Sequence, residues 1–243
     1  MRRTRIFFLG LAILFAAPAS MFAGDYAALD FIGFSKDGRY LAFEEYGMQD
    51  GSGFPYSSIY FVDVDKNTLA APAVNIRLQS ERATEQQARA KAKLAAARII
   101  RRFAIINGNT GQLTVSRMLT DLNVEVFRQG KTQKINFAEI VTSMYRRGDY
   151  ELTLDLSEIK NKECDIFDQP VYKFELSLNA KDRDSTTVLQ KDDRLPKSRS
   201  CPIDYSMQYV YLYEDKIAVF LSTYWVGFEG PDMRYTAVTG RFK

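Results

Sequence analysis

Histidine is absent from all 243 residues. That removes Ser-His-Asp and Cys-His catalysis, imidazole-ligated zinc or iron, and any histidine acid–base step. Cysteine occurs twice and tryptophan once, so no cysteine-based metal cluster can be assembled. Seven prolines and 14 glycines, without a period, exclude a collagen-like chain. Only one long apolar run occurs, which excludes a multi-span membrane protein. No excess of one charge exists either: 33 Lys+Arg stand against 30 Asp+Glu. What is present is 46% hydrophobic and 13% aromatic, the composition of a packed globular chain. Carboxylates, Lys, Arg, Tyr and one cysteine pair are the chemistry available, and no cofactor or metal is expected.

The single long apolar run stands at the start. Arg2, Arg3 and Arg5 precede Ile6–Ala16, and small residues follow in Ala17-Pro18-Ala19 and at Ala23-Gly24. This order predicts a signal peptide over residues 1–23, a mature start at Ser20 or Gly24, and a single β-rich secreted domain over 24–243. Removing the segment takes away three arginines and no acid, so the formal charge falls from +3 to zero. A basic balance that leaves with the export signal gives no reason to expect a nucleic-acid partner. The expected location is the periplasm, with no stable membrane insertion after cleavage.

Short alternating runs dominate the mature chain. Phe31–Phe34 and Tyr40–Phe43 flank an Asp37-Gly38 turn, the signature of a hairpin. Further strands are expected at Ser58–Val64, Ala73–Leu78, Asn123–Arg128, Gln133–Phe137, Tyr150–Leu156, Val171–Leu178, Thr186–Gln190, Gln208–Tyr213, Lys216–Leu221 and Tyr235–Val238. One Ala-rich helix is expected from Arg82 to about Ile106, with Thr84 and Gln87 as a capping box and Asn107-Gly108 as C-cap. Its predicted apolar stripe is Ala88, Ala92, Ala95, Ile99, Phe103 and Ile106, and Arg89, Lys93, Arg98, Arg101 and Arg102 are expected on solvated faces. The fold class is mainly β (α+β): an antiparallel meander of blade-like hairpins forming a sandwich or incomplete propeller, with one long amphipathic helix.

The two ends of the mature chain resemble each other. Phe34–Phe43, Tyr46 and Gly51–Tyr56 parallel Tyr213–Phe220, Tyr224, Gly227–Pro231 and Tyr235. The first stretch also resembles one blade of secreted propellers whose repeats read F-S-x-D-G-x-x-L-A-F. Longer strings are more specific: Phe31 to Tyr60, Asn109-Thr110-Gly111, Leu195–Arg199 with Cys201-Pro202, and Gly227–Asp232. These closely resemble a family of predicted secreted bacterial proteins defined by a domain of unknown function. The resemblance implies export and a single domain, and it carries no activity and no catalytic residue.

Candidate sites are few. Cys164 and Cys201, an even pair in an exported chain, are expected to form a disulfide closing a 36-residue loop. Asp63-Val64-Asp65-Lys66-Asn67 imitates a calcium loop, yet Thr68 and Val74 stand where Gly and Glu are required, so a strand-end turn is expected. Arg194, Lys197 and Arg199 are candidates for gripping an anion or for pairing with the acidic residues 25–65. The loops Glu44–Tyr56 and Val226–Tyr235 hold Glu44, Glu45, Asp50, Tyr56, Phe228, Glu229 and Asp232, a mixture of carboxylates and rings suited to carbohydrate. The expected function is a non-enzymatic envelope or periplasmic module that binds an envelope protein or a glycan. The alternative is a carboxylate-based hydrolase of cell-envelope glycans.

Overall fold

A computed structural model describes residues 24–117, 132–142, 145–165, 169–228 and 230–243. The proposed signal peptide, the strand expected at Asn123–Arg128, and Glu229 lie outside these residues. The described chain forms three four-stranded antiparallel sheets and one helix. The first sheet is the meander β1 (Ala28–Phe34), β2 (Tyr40–Met48), β3 (Pro55–Asp63) and β4 (Thr68–Arg77). After α1 (Glu85–Arg102) comes β5 (Gln112–Ser116). A second meander follows: β6 (Thr132–Thr142), β7 (Tyr145–Glu158), β8 (Tyr172–Ala180) and β9 (Ser185–Lys191). The last strands, β10 (Asp204–Tyr213), β11 (Lys216–Val226) and β12 (Pro231–Arg241), join β5 in the order β12-β11-β10-β5. The fold is thus mainly β and sandwich-like, as the alternating runs predict. β5 was not among the expected strands, because Gln-Leu-Thr-Val-Ser is short and leaves Leu113 exposed.

Packing stacks these layers with the β12-β11-β10-β5 sheet in the middle. Ile217, Val219 and Leu221 of β11 face the β6–β9 sheet, where Leu152, Leu154, Phe174 and Leu176 are buried. Ala218 and Phe220 face the first sheet, packing with Phe31, Phe34, Leu41 and Phe43. Strand β11 is therefore buried from Lys216 to Tyr224, and its stretch Ile217–Leu221 is continuously apolar, since both of its faces are covered. Phe31 and Phe34 share a face because a bulge shifts the β1–β2 register between Phe31 and Gly33. Gly33 adopts φ +140, and a Cβ there would lie 2.4 Å from the Ile106 carbonyl oxygen. The two similar ends of the sequence are the two hairpins that pack against each other. Phe34 stacks on Tyr213 at 5.1 Å, and the Tyr213 hydroxyl donates to the Lys36 carbonyl at 2.9 Å.

The helix covers the outer face of the first sheet, with three corrections to the expected pattern. Thr84 and Gln87 do form the capping box, but the helix ends at Arg102 with Phe103 as C-cap, and Asn107-Gly108 lies beyond it. Ala104 takes a left-handed φ of 50, which turns the chain so that Ile105 enters the core. The buried stripe is Ala88, Ala92 and Ala96, a strict i, i+4 ridge; Ala95 faces solvent and Ile106 is exposed. Arg89 and Lys93 do not sit on a solvated back. Arg89 bonds both oxygens of the fully buried Glu44, at 3.1 and 2.9 Å, and reaches Asp30 at 2.6 Å. Lys93 joins the same two acids at 3.1 and 3.2 Å. No helix among the described residues is long and apolar enough to cross a membrane.

Candidate functional site

An open cleft of about 950 Å³ runs along β12, the edge strand of the middle sheet. Its floor is the inner face of the first sheet, with Phe43, Tyr60, Val62 and Leu69. The opposite wall brings Gln190 from β9 and the segment Pro196–Cys201. Trp225 and Asp232, directly paired across β11 and β12, mark one end; Ala237, five residues on and about 17 Å along the strand, marks the other. All three sheets contribute to it, which the order of elements alone does not reveal.

The wall Pro196–Cys201 is held from three sides. The Cys164–Cys201 disulfide, with Cα atoms 5.6 Å apart, ties it to the segment before β8, as the cysteine count predicts. Arg199 is buried and bidentate to Asp192, at 2.7 and 2.5 Å, with its guanidinium 4.5 Å above the Phe174 ring. The Trp225 indole N–H donates to the Arg199 carbonyl at 2.7 Å, fixing the ring against this wall. Arg199 therefore neither faces an anionic ligand nor pairs with the acidic residues 25–65. Its partner lies seven residues away on its own segment. Arg194 and Lys197 are exposed. The acidic stretch instead finds Arg89 and Lys93, Arg234, and Lys216 and Arg241.

At the Asp232 end a polar cluster is buried between sheets. Residues 25–27 run parallel to β12: Ala27 N–H donates to the Met233 carbonyl and Met233 N–H to the Asp25 carbonyl, both at 3.0 Å. This places Asp25 against Arg234 at 2.6 Å, where Asp25 Oδ1 accepts from the Tyr56 hydroxyl at 2.9 Å, and lets Asp25 N–H donate to Asp232 Oδ1 at 2.9 Å. Arg234 lies 4.7 Å over the Tyr56 ring. Glu45 accepts from the Tyr235 N–H and the Tyr60 hydroxyl. Burial pushes the Glu45 carboxyl up to about 7, only partly offset by these donors and by Arg234. Burial likewise raises the Tyr56 and Tyr60 hydroxyls.

The candidate residues from the two loops are thus divided. Glu45, Tyr56 and Asp232 come together around Asp25 and Arg234. Glu44, one residue from Glu45, points to the opposite face of β2 and into the helix. Asp50 sits in the β2–β3 turn, where its Oδ1 accepts the Gly51 N–H at 2.7 Å. Phe228 is 92% exposed at its loop tip, and Glu229 lies outside the described residues. The calcium-like segment is a strand-end turn: Asp63 accepts from Lys66 N–H, Asp65 pairs with Lys216 at 2.7 Å, and Asn67 caps the Thr239 N–H at 2.9 Å.

Sequence reasoning missed Asp25, Arg234, Asn67 and Gln190. Asp25 and Arg234 are 209 positions apart, so no local spacing joins them. The one available signal was the repeat itself, which brings the two similar hairpins together. A comparison with curated proteins finds no match. A family model described as "Predicted secreted protein (DUF2259)" matches residues 42–241, which holds the first sheet from Ala42 on, the helix, and every later strand. With most of its length inside that match, the chain belongs to this family of predicted secreted proteins.

Proposed function

We propose that the protein is a non-enzymatic binding module of the bacterial envelope, working in the periplasm, with the β12 cleft as its site. The supporting observation is the state of the two carboxyls that line the cleft, Glu45 and Asp232, and of Asp25 behind them. Asp25 is ion-paired, Asp232 holds a backbone N–H, and Glu45 is 2% exposed with two donors on it. A glycosidase needs two carboxyl groups free to face the scissile bond, one as acid and one as base or nucleophile. Beside the ion-paired Arg234 and the bonded Asp232, the accessible lining is rings and uncharged polar groups: Tyr60, Trp225, Asn67, Gln190 and Thr236. That lining suits a ligand held by stacking and hydrogen bonds.

The raised Glu45 carboxyl is the observation favouring the alternative, a glycan hydrolase with Glu45 as general acid. One measurement separates the two. Trp225 is the single tryptophan in the chain, so its emission reports the cleft directly. Saturable change in that emission with envelope fragments, with no product released, supports the binding module. Turnover abolished by Glu45→Gln overturns it.

A further inference from the structure

Strand β12 has a free backbone position inside the cleft. The β11–β12 ladder pairs one to one from Pro231 to Arg241 without a bulge, so N–H groups alternate strictly between the partner strand and the open edge. Met233, Tyr235 and Thr239 all turn their N–H outward, since these donate to Asp25, Glu45 and Asn67. Ala237 has the same parity. Its N–H and C=O therefore face the cleft, and among the described residues neither has a partner.

A residue at an open edge presents its N–H and C=O on one side, flanking its Cα. The complement is another extended residue, which forms both bonds of a hydrogen-bonded pair. The edge already takes such a partner two turns of the pleat away, where the chain's own residues 25–27 bond the backbone of Met233. Side-chain caps at Tyr235 and Thr239 leave a window one residue wide between them. Ala237 points toward the first sheet, in the same sense as Met233 and Tyr235. A residue paired with it points the same way, onto Tyr60, Val62 and Leu69, and its neighbours point toward Gln190 and the Pro196–Cys201 wall.

We propose that the ligand of this cleft is an extended polypeptide segment of a partner protein, which adds to the edge of β12 at Ala237 through an apolar residue flanked by polar ones. The inference rests on the cleft being the binding site. The probes are two pools of end-blocked hexapeptides with one central apolar residue among polar ones, the second pool N-methylated at that residue. The readouts are the Ala237 amide resonance in ¹⁵N-labelled, disulfide-intact protein and the Trp225 emission. The first pool should shift the Ala237 resonance and bind on the order of tenfold more tightly than the methylated pool, which lacks the N–H for the Ala237 carbonyl. Ala237→Pro should weaken the first pool comparably, because its ring nitrogen faces the open edge and leaves the ladder to β11 intact; circular dichroism checks the fold. Equal affinity for both pools overturns the inference. So does a static Ala237 resonance while a cello- or chito-oligosaccharide changes Trp225 emission, an outcome that keeps the cleft as the site. Silence of both readouts to peptides and sugars overturns the cleft as well.

Discussion

Replacing Arg89 with Gln tests the view that the helix is fastened by charge as much as by its alanine ridge. The Glu44 side chain has no solvent exposure, and Arg89 supplies two of its hydrogen bonds. Removing one partner of a buried pair costs about 3–5 kcal/mol, because the other charge stays behind without compensation. Here the figure must be reduced. The Arg89 side chain is 23% exposed, Lys93 remains 3.2 Å from Glu44, and the Ser57 hydroxyl still donates at 2.8 Å. A loss of about 2–3 kcal/mol follows, partly through the Tyr46 ring over which the guanidinium lies at 3.7 Å. For a domain of this size that lowers Tm by about 5–10 °C. Lys93→Gln, at a half-exposed side chain, should cost under about 1 kcal/mol. The double variant Arg89→Gln with Glu44→Gln should regain part of the loss, because no buried charge is then left alone. Thermal melts of wild type, the single variants Arg89→Gln, Glu44→Gln and Lys93→Gln, and the double variant give the answer. A melt of Arg89→Gln within about 1 °C of wild type, or a double variant less stable than the sum of its parts, refutes the reasoning.

Phe103→Ala should cost only about 2 kcal/mol, less than a fully buried aromatic, because Phe103 caps the helix only partly buried, against Tyr40 at 4.5 Å; urea unfolding measures it. Glu45 holds a proton in the folded state that the unfolded chain, near 4.5, has already released, so its stabilising effect is present at low pH and is lost as pH rises from 4.5 through about 7. Asp204, raised to about 7 by burial, acts in the same direction, and stability followed against pH should flatten across that window in Glu45→Gln with Asp204→Asn. Reducing Cys164–Cys201 should cost about 3–4 kcal/mol by loop entropy and change Trp225 emission without any ligand, since the Arg199 carbonyl loses its anchor; alkylation before reduction would show the bond unformed.

Much of the fold is legible in the sequence because its causes are local. The Asp37-Gly38 turn and the alternation on either side define β1 and β2, and Thr84 with Gln87 defines where the helix starts. The helix end was misplaced because a non-glycine residue, Ala104, takes the left-handed conformation that composition assigns to Gly108. The alternation also marks Glu44 and Glu45 as facing opposite ways, yet which face meets the helix and which meets β12 depends on packing between sheets. The cleft is hardest to foresee. Its lining is drawn from all three sheets, and its free edge at Ala237 is visible only once Glu45 and Asn67 are seen to cap the positions on either side.

The central position of β10, β11 and β12 has a consequence for the order in which the chain can fold. The strands that emerge first, β1–β4 and then β6–β9, each carry one oily face whose cover is the sheet built from residues 204–241. Both outer layers must wait, half-finished, for the last 40 residues, from Asp204 on. Pairing of β10 with β5, across some 90 residues, completes the same step and makes it slow. During that interval the unfinished chain leaves this apolar surface uncovered and is at its most prone to aggregate.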